Sequence, residues 1–536
     1  MATRSASVAA SAWAGVAAVA LGAGAGELVA ALALPTASPI ASMGAALIDL
    51  APPWAKDAAI GLFGTADKLA LIAGVVVVLV VVAAIAGLLE VRVPPWGRVL
   101  VVGLGLVGAV VASTRPDATG MAWIPSAVAG VVAAAALGPL ARRCARAAAH
   151  AAPFVRADPA DGNPDVAPAA PDPASAERGT GLDRRGFLLW SGVAAGAGVI
   201  AALGGWALQA GRQAASAVRE AIALPRPAQT AAPIPATADL GIPDLAPVIT
   251  PNAEFYRIDT ALLVPDVDPH AWSLRIHGMV AREVVITWDE LLALPLQESV
   301  TTLACVSNEV GGTLIGNAVW LGYPIRELLR QAGPDSGADM VLSRSVDGFT
   351  ASTPLEALTD ERNAILAVGM NGEPLPAEHG FPVRMVVPGL YGYVSATKWV
   401  TELQVTRFDA ARAYWTDRGW SERGPIKLQS RIDVPRSGRQ ISAGDTVVAG
   451  VAWQQHVGIA AVEVQIDDGE WMPATLATAI SDDTWVQWSM PWTATTGTHT
   501  VRCRAINARG QTQTGEHAPV VPDGATGWHQ IGVTVA

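Results

Sequence analysis

The chain has 536 residues, of which 51% are hydrophobic and only 6% aromatic, and its formal net charge is −11. This length allows several domains, and the acidic balance argues against nucleic acid as a partner, because phosphate binding needs clustered lysine and arginine. The chain has three cysteines, Cys144, Cys305 and Cys503. This number is low and odd, so it does not indicate a disulfide framework.

Five apolar stretches in the N-terminal part are predicted to span a membrane, because a spanning helix needs about 20 mostly apolar residues. They are residues 8–34, 69–89, 99–112, 121–140 and 187–208. The third stretch is short and needs Trp96, Gly97 and Ser113 at its edges. Arginines precede the first span, separate the second from the third and follow the fourth. By the positive-inside rule these segments are cytoplasmic, so the fifth span leaves everything after about residue 211 outside the cell.

One carboxylate, Glu27, lies within the first predicted span. It is either a proton or quinone site, or a carboxylate near the outer water boundary. The second interpretation is favoured because Glu27 is close to the end of its span.

Residues 1–150 are therefore predicted as a four-helix transmembrane region, and residues 151–183, rich in Ala, Pro and Asp, as a disordered cytoplasmic linker. Positions 183–189 read DRRGFLL, with paired arginines ahead of an apolar stretch. This pattern resembles a twin-arginine export signal, and the alternative is ordinary positive charge beside a helix. Residues 184–211 form the fifth transmembrane helix with this signal, and residues 212–250 a Pro- and Ala-rich tether.

Residues 251–432 alternate short strand and helix patterns, which predicts an α+β domain. Thr287 followed by Glu290 predicts a helix start with a capping box.

Residues 433–536 change to regularly spaced short strands, with Asp468-Gly469 as a hairpin signal. This pattern indicates an all-β sandwich. Cys503 alternates with polar neighbours on one of these strands, so it is predicted to be a buried core residue.

The informative stretch is residues 301–312, which read TTLACVSNEVGG. A lone cysteine, Cys305, follows a strand-like run and opens a polar, glycine-containing loop. It could be a nucleophile with His379 or His277 as base, a ligand for a soft metal, or a small buried residue. A zinc site would need further Cys or His at fixed spacing.

This loop, followed by WLGYP at 320–324, resembles the molybdenum-ligand loop of the sulfite oxidase superfamily of molybdopterin-dependent oxidoreductases. Further stretches resemble that family in its own order, and together they cover nearly all of residues 252–536. They are NAEFYR at 252–257, HGFPVRMVVPG at 379–389, YGYVSATKW at 391–399, the link at 414–435, and GVAW at 450–453 with 458–467.

The resemblance implies a fold and a set of roles. It implies a multi-domain protein with an N-terminal α-helical membrane bundle, an α+β molybdopterin-binding catalytic domain at 251–432 and an immunoglobulin-like sandwich at 433–536. Cys305 would bind molybdenum of the molybdenum–molybdopterin cofactor, and Arg257 would meet an anionic substrate. The residues that would hold the pterin and its phosphate are Asn252, Phe255, Tyr256, Ser345, His379, Arg384, Thr397 and Lys398.

Two departures argue against sulfite as the substrate. Sulfite oxidases place a tyrosine just before their Ala-Ser-x-Pro run, and here Phe349 precedes the run at 351–354. Phenylalanine cannot donate a hydrogen bond to an oxyanion. The segment from Gly392 to Lys398 is also one residue longer than the corresponding segment of sulfite oxidases.

The chain is thus predicted to be a multi-pass cell-membrane protein whose catalytic domain lies on the extracytoplasmic side. It would carry out two-electron, oxygen-atom-transfer chemistry on a small-molecule substrate. With no haem or iron–sulfur spacing, electrons would pass to a separate carrier, a cytochrome or a quinone. The resemblance also implies a homodimer through the C-terminal domain.

Two other classes of protein compete with this one. The first is a non-catalytic surface-exposed binding protein with an immunoglobulin-like domain, against which Cys305 and the ordered motifs argue. The second is a membrane electron-transfer subunit, and it is disfavoured because none of the five spans contains a histidine for haem.

Overall fold

A computed structural model describes residues 2–51, 62, 67–116, 118–150, 173–214, 219 and 222–536. The chain divides into two compact units. The helical unit comprises Met1–Ala215 with Ala261–Asp266, and the β-rich unit comprises Ser216–Thr260 with Val267–Ala536.

The described part of the helical unit consists mainly of α-helices. Their bounds are α1 (Ala2–Ala33), α2 (Pro39–Leu50), α3 (Asp67–Arg92), α4 (Trp96–Ser113), α5 (Ile124–His150) and α6 (Pro173–Ala214). Five apolar segments are long enough to cross a membrane, namely Val8–Ala33, Ala70–Arg92, Trp96–Ser113, Ile124–Arg146 and Arg185–Leu208. The five predicted stretches are therefore confirmed as apolar helices of spanning length.

Glycines allow close packing between these helices. A Cβ added at Gly15 of α1 would lie 1.9 Å from the carbonyl oxygen of Ala83 in α3. One added at Gly87 of α3 would lie 2.1 Å from the carbonyl oxygen of Ser11. Only glycine permits such backbone approach, which is a common way for membrane helices to associate.

Glu27 joins α1 to the next helix. Its carboxylate accepts hydrogen bonds from the Ser38 hydroxyl at 2.8 Å and from the Ile40 N–H at 2.9 Å. Ser38 is the N-cap of α2, so the carboxylate satisfies backbone donors that a helix start leaves unpaired. These contacts give Glu27 a structural role.

Helix α6 differs from the predicted boundaries. It begins at Pro173, inside the segment predicted as linker, and ends at Ala214, inside the predicted tether. The start of α6 contains alanine and glutamate, which favour helix over the Pro-rich sequence before it. Residues 151–172 of the predicted linker lie outside the described residues, as do 215–218 and 220–221 of the tether.

The first part of the β-rich unit contains one mixed sheet, one antiparallel sheet and several short helices. One sheet has the order β2-β1-β10-β5-β6, in which β1 and β10 are parallel, and the other has the order β3-β4-β7-β8, with β9 also paired to β7. The strands are β1 (Ser273–Gly278), β2 (Val284–Thr287), β3 (Gln297–Ala304), β4 (Ile315–Pro324), β5 (Met340–Ser345), β6 (Thr350–Pro354), β7 (Ile365–Met370), β8 (Glu373–Pro374), β9 (Arg384–Val386) and β10 (Val400–Thr406). The helices are α7 (Trp288–Leu292), α8 (Ile325–Ala332), α9 (Leu355–Thr359) and α10 (Gly392–Ser395). The capping box at Thr287 and Glu290 is confirmed.

The C-terminal part consists of two sheets that share one apolar core. The orders are β11-β13-β17-β16 and β12-β19-β18-β14-β15. The strands are β11 (Gln429–Val434), β12 (Gln440–Ile441), β13 (Gly444–Trp453), β14 (Ile459–Ile466), β15 (Met472–Pro473), β16 (Thr475–Leu476), β17 (Val486–Ala494), β18 (Gly497–Asn507) and β19 (His529–Val535). Cys503 is fully buried in this core, as predicted.

The predicted fold class is confirmed: apolar helices come first, a mixed α and β domain second and a β-rich domain last. The immunoglobulin-like character of the last domain and the domain boundaries stay predictions. Strand β11 crosses the predicted boundary between residues 432 and 433.

Candidate active site

The thiol of Cys305 lies in a closed loop at the end of a strand. Cys305 directly follows β3, and its N–H donates to the Leu314 carbonyl at 2.9 Å. The Asn308 N–H donates to the Cys305 carbonyl at 3.1 Å, and the Asn308 side-chain oxygen accepts from the Leu314 N–H at 2.8 Å. We call residues 305–314 the Cys305 loop. Burial raises the pKa of the Cys305 thiol, although hydrogen bonds with Ser307 act in the opposite direction.

A metal at this thiol would have to bring most of its own ligands. Among the described residues, no group of three or more His, Cys, Asp or Glu side chains is arranged to hold a metal ion. One thiolate from the protein, with the remaining ligands from an organic cofactor, is consistent with that arrangement.

A cavity opens beside the Cys305 loop. Its wall includes Cys305, Val306 and Ser307 from the loop, and Phe255 and Tyr256 from the segment before β1. Small-ligand and cofactor sites are concave and set a few polar groups among apolar side chains, and the lining of this cavity next to the thiol has that character.

One wall of the cavity carries a buried cation without a carboxylate partner among the described residues. The Arg384 side chain, on β9, is 5% exposed and donates to the backbone carbonyls of His379 at 3.1 Å and Met385 at 3.4 Å. Its guanidinium lies 5.1 Å from the ring centre of Trp320. Burial lowers the pKa of Arg384 to about 10. A buried cation that lacks a negatively charged partner is a suitable binding site for an anion.

His379 stands beside this cation and is held neutral. Its Nε2 lies 3.1 Å from the Asn252 carbonyl oxygen, to which it donates a hydrogen bond. Burial, and then the charge of Arg384, lower the pKa of His379 to about 4. The imidazole therefore acts as a hydrogen-bonding group near neutral pH and does not add a second positive charge.

The second buried cation has a carboxylate partner. Lys398 is 8% exposed, and its ammonium donates to Asp259 at 2.6 Å and to the Glu378 carbonyl at 2.9 Å. Burial lowers the pKa of Lys398 to about 8, and Asp259 opposes that effect. Arg257 also donates to Asp259, at 2.9 Å. An ammonium has three donors, so Lys398 keeps one beyond these two contacts.

Four further aromatic side chains contribute to the lining of the cavity. Phe349, Tyr393, Trp415 and Trp420 all line it. Ring centres lie 6.0 Å apart for Trp415 and Trp420, and 5.8 Å apart for Tyr393 and Trp420. Phe349 lies 5.8 Å from Tyr414, which packs on Trp415. These contacts brace one another and form a rigid, mostly apolar wall.

The structure brings most of the predicted site residues to one cavity and leaves three away from it. Those that line it are Phe255, Tyr256, Cys305, Ser345, His379, Arg384 and Lys398. The side chain of Asn252 instead bonds to Asn371 at 2.8 Å, and that of Thr397 to Ser343 at 2.7 Å.

The structure places Arg257 outside the cavity lining, and its role toward a substrate stays a prediction. Its side chain is 38% exposed, pairs with Asp259 and does not line the cavity, whereas Ile258 does. The segment after the 3-10 turn Asn252–Glu254 is irregular, so its side chains follow no strand or helix period that would place Arg257 from sequence.

Several residues that line the cavity carry no recognisable motif in the sequence. Besides Ile258 and Asp259, they include Asp347, whose carboxylate is in short contact with the hydroxyl of Ser345. The Asp347-Gly348 pair is a turn signal, which could have drawn attention to the loop but not to the cavity. Trp415 was likewise missed, because an aromatic residue in a link segment has no distinctive spacing.

Comparisons with known proteins point to one family. The family model described as "Oxidoreductase molybdopterin binding domain" matches residues 261–415. The chain is 31% identical to mitochondrial sulfite oxidase of Mus musculus over 271 residues, which is 42% of this chain and 49% of that protein. It is 33% identical over 157 residues to the uncharacterized oxidoreductase YuiH of Bacillus subtilis, covering 29% of this chain and 76% of that protein.

The chain spans about half the length of the sulfite oxidases that it matches. Among solved structures, the sulfane dehydrogenase SoxCD from Paracoccus pantotrophus is similar with 24% sequence identity and a TM-score of 0.46. That match covers 50% of this chain and 75% of the SoxCD chain.

Proposed function

The chain belongs to the oxidoreductase family with a molybdopterin-binding domain, and we propose that it is a membrane-anchored enzyme that transfers an oxygen atom to or from a small organic substrate. The observation that carries this proposal is the buried Cys305 thiol at a cavity whose lining also contains Arg384, a buried cation with no carboxylate partner among the described residues. The cofactor of the family is a molybdopterin.

The residues of the cavity fit such a cofactor. The Arg384 guanidinium offers donors that no carboxylate uses in the described residues, as a buried phosphate would require. Tyr256 lines the same cavity, and burial raises the pKa of its hydroxyl, which therefore stays protonated near neutral pH. We propose that Arg384, Lys398, His379 and Tyr256 hold the pterin and its phosphate.

In this proposal Cys305 supplies the protein thiolate to molybdenum. The bound cofactor supplies two-electron redox chemistry with an oxygen atom exchanged at the metal. The part played by the chain is to hold the thiolate in the Cys305 loop, to orient the pterin, and to restrict water by the aromatic wall. Neutral His379 donates a hydrogen bond without adding positive charge.

The substrate class is proposed to be uncharged organic compounds, not sulfite. Ile258 lines the cavity where an arginine was expected, and Lys398 is already paired with Asp259. Phe349 has no hydroxyl for an oxyanion, and the wall around it is aromatic. If the pterin and its phosphate take the remaining donors of both Arg384 and Lys398, no cation that lines the cavity is left for an anionic substrate.

We further propose that the helical unit anchors the enzyme and that the β-rich unit lies on the extracytoplasmic side. The five apolar helices and the arginine distribution support this topology. The pair Arg184-Arg185 would act as a twin-arginine signal for a domain folded around its cofactor. A separate carrier, a cytochrome or a quinone, would exchange the electrons, and the C-terminal domain would support a homodimer.

Metal analysis of the purified full chain tests the proposal. Chain produced in a molybdenum-replete host should contain about one molybdenum per chain, and Cys305→Ala should lose it. Cys503→Ala is the matched control, because it removes a buried thiol far along the sequence and should keep the metal. Folded, metal-free wild-type chain would refute the function.

Two further measurements test the finer parts of the proposal. Turnover with an artificial electron carrier should be faster with neutral sulfoxides or N-oxides than with sulfite, and a preference for sulfite would overturn the substrate class. Reporter fusions at the C-terminus should read as extracytoplasmic, and Arg184→Lys with Arg185→Lys should block that export if the signal is of the twin-arginine type.

A further inference from the structure

The C-terminal domain holds the strand that leads into the Cys305 loop. Thr302, three residues before Cys305 on β3, is 1% exposed. Its N–H donates to the Asp483 carbonyl at 3.0 Å, and its hydroxyl accepts from the Trp485 N–H at 2.9 Å. Its carbonyl accepts from the side chain of Gln455 at 3.0 Å. All three partners belong to the C-terminal domain, so one end of the loop is held from that domain.

The same domain also holds the far part of the loop. Arg431 on β11 donates to the Gly312 carbonyl at 2.8 Å, while its guanidinium is fixed by Asp433 at 2.6 Å. His529, at the start of β19, packs against Gly311. A Cβ added at Gly311 would lie 2.2 Å from Cδ2 and 2.3 Å from Nε2 of that ring.

The orientation of His529 is itself fixed. Its Nδ1 accepts the Ile432 N–H at 2.9 Å, so in the neutral ring the proton is on Nε2, the edge that faces the loop. Gly311 has φ +78°, a conformation that L side chains rarely adopt. The backbone at Gly311 therefore lies directly against the ring of His529, and the loop cannot move closer to that ring.

We propose that Arg431 and His529 are positioning residues for the thiolate of Cys305, and that the C-terminal domain acts as a brace for the metal ligand. This inference rests on the proposed function, because it needs molybdenum at Cys305. A metal ligand is oriented by the groups around it, and the loss of such outer contacts commonly weakens metal binding or activity about 10- to 100-fold. Here the outer contacts act through the backbone of Gly311 and Gly312.

Two substitutions test whether these contacts position the Cys305 thiolate or only stabilise the fold. His529→Asn keeps an oxygen near the position of Nδ1 for the Ile432 N–H but removes the ring edge that contacts Gly311. Arg431→Lys keeps a positive charge beside Asp433 but lacks the planar guanidinium, whose Nε and Nη1 donate to Asp433 and Gly312 in a fixed geometry. Arg504→Lys is the matched control. Arg504 lies in the same domain and pairs with Glu463 at 2.7 Å, and no contact with the loop is found for it in the described residues.

The experiment uses the full chain in detergent, loaded with molybdenum, and has two readouts besides turnover. These are the electron paramagnetic resonance signal of Mo(V) and the rate at which molybdenum is lost on incubation. We expect His529→Asn and Arg431→Lys to shift the signal and to raise the rate of loss about tenfold, the low end for outer contacts. Arg504→Lys should match the wild type in both.

Three results would overturn the inference. They are folded His529→Asn and Arg431→Lys with unchanged signal and metal retention, equal effects from Arg504→Lys, or loss of folding in both brace variants, which would assign the contacts to stability alone. If only one of the two variants folds, the Mo(V) signal of that variant decides whether the inference holds. Absence of molybdenum from the unaltered chain is a different result, because it refutes the proposed function itself.

Discussion

Substitution of Arg384 by methionine should have opposite effects on the cofactor-free and the cofactor-loaded chain. In the cofactor-free chain, burial lowers the pKa of Arg384 to about 10 from its ordinary 12.5. At about 1.36 kcal/mol per pK unit, burial therefore costs the charged form about 3 kcal/mol. Its two hydrogen bonds to backbone carbonyls, at 3.1 and 3.4 Å, return about 1 kcal/mol each. Methionine reproduces the arginine side chain as far as Nε and can pack beside Trp320, so the cofactor-free variant should be as stable as the wild type or about 1 kcal/mol more stable.

The loaded chain should respond in the other direction. If Arg384 binds the phosphate of the pterin, the variant loses charge-assisted hydrogen bonds worth about 1.5–3 kcal/mol each. Cofactor binding should then weaken roughly 10- to 100-fold. Arg362→Met is a contrasting control, because Arg362 forms an ordinary pair with Asp360 at 2.7 Å. Its loss should destabilise the cofactor-free chain without a specific effect on molybdenum.

Thermal unfolding and metal content measure both effects. Each variant is produced in a host that lacks the cofactor and in one that supplies it, and the full chain is compared in the same detergent. A cofactor-free Arg384→Met chain that is less stable by several kcal/mol would show that Arg384 is a structural cation. If that variant contains as much molybdenum as the wild type, Arg384 does not bind the cofactor.

Three further predictions concern stability. Burial, and then the charge of Arg431, lower the pKa of His529 to about 4 from 6.5, so between those pH values only the unfolded chain binds this proton. Unfolding free energy should therefore fall as pH decreases through that window, and the slope should be shallower by about 1.4 kcal/mol per pH unit in His529→Asn; equal slopes would contradict the burial argument. Cys503→Ala should lower the unfolding free energy by about 1–2 kcal/mol in denaturant titrations, because it leaves a small void in a fully buried position. Gly87→Val should destabilise the helical unit in detergent by about 1–3 kcal/mol, whereas Gly74→Val, where nothing lies within 4 Å, should not; equal melting temperatures would contradict the helix packing described above.

Features that depend on a short stretch of chain could be predicted from the sequence. The five apolar helices follow from length and hydrophobicity alone, because the hydrocarbon thickness of a membrane requires about 20 residues. The helix start at Thr287 followed from a capping box, in which donor and acceptor are three residues apart. Cys305 could be placed at the end of a strand and at the start of a loop for the same reason. These are local properties, and distant contacts do not alter them.

Positions of side chains in irregular segments could not be predicted. Arg257 and Ile258 are neighbours in a segment without regular secondary structure, and only the folded chain decides which of them lines the cavity. The pairing of Lys398 with Asp259 joins residues 139 positions apart. No periodic pattern in the sequence relates these two residues. The sequence alone therefore suggests more unpaired positive charge at the site than the folded chain offers to a substrate.

The amino-acid sequence by itself determined that this chain carries spanning helices, a mixed domain with a lone thiol at the start of a loop, and a β-rich end. Tertiary structure decided which charges remain unpaired beside that thiol and which residues hold its loop. Arg431 and His529 reach Gly312 and Gly311 across more than one hundred residues of chain. Such contacts arise because burial of apolar surface brings distant strands together, and the hydrogen-bonding groups they carry must then find partners in the new surroundings.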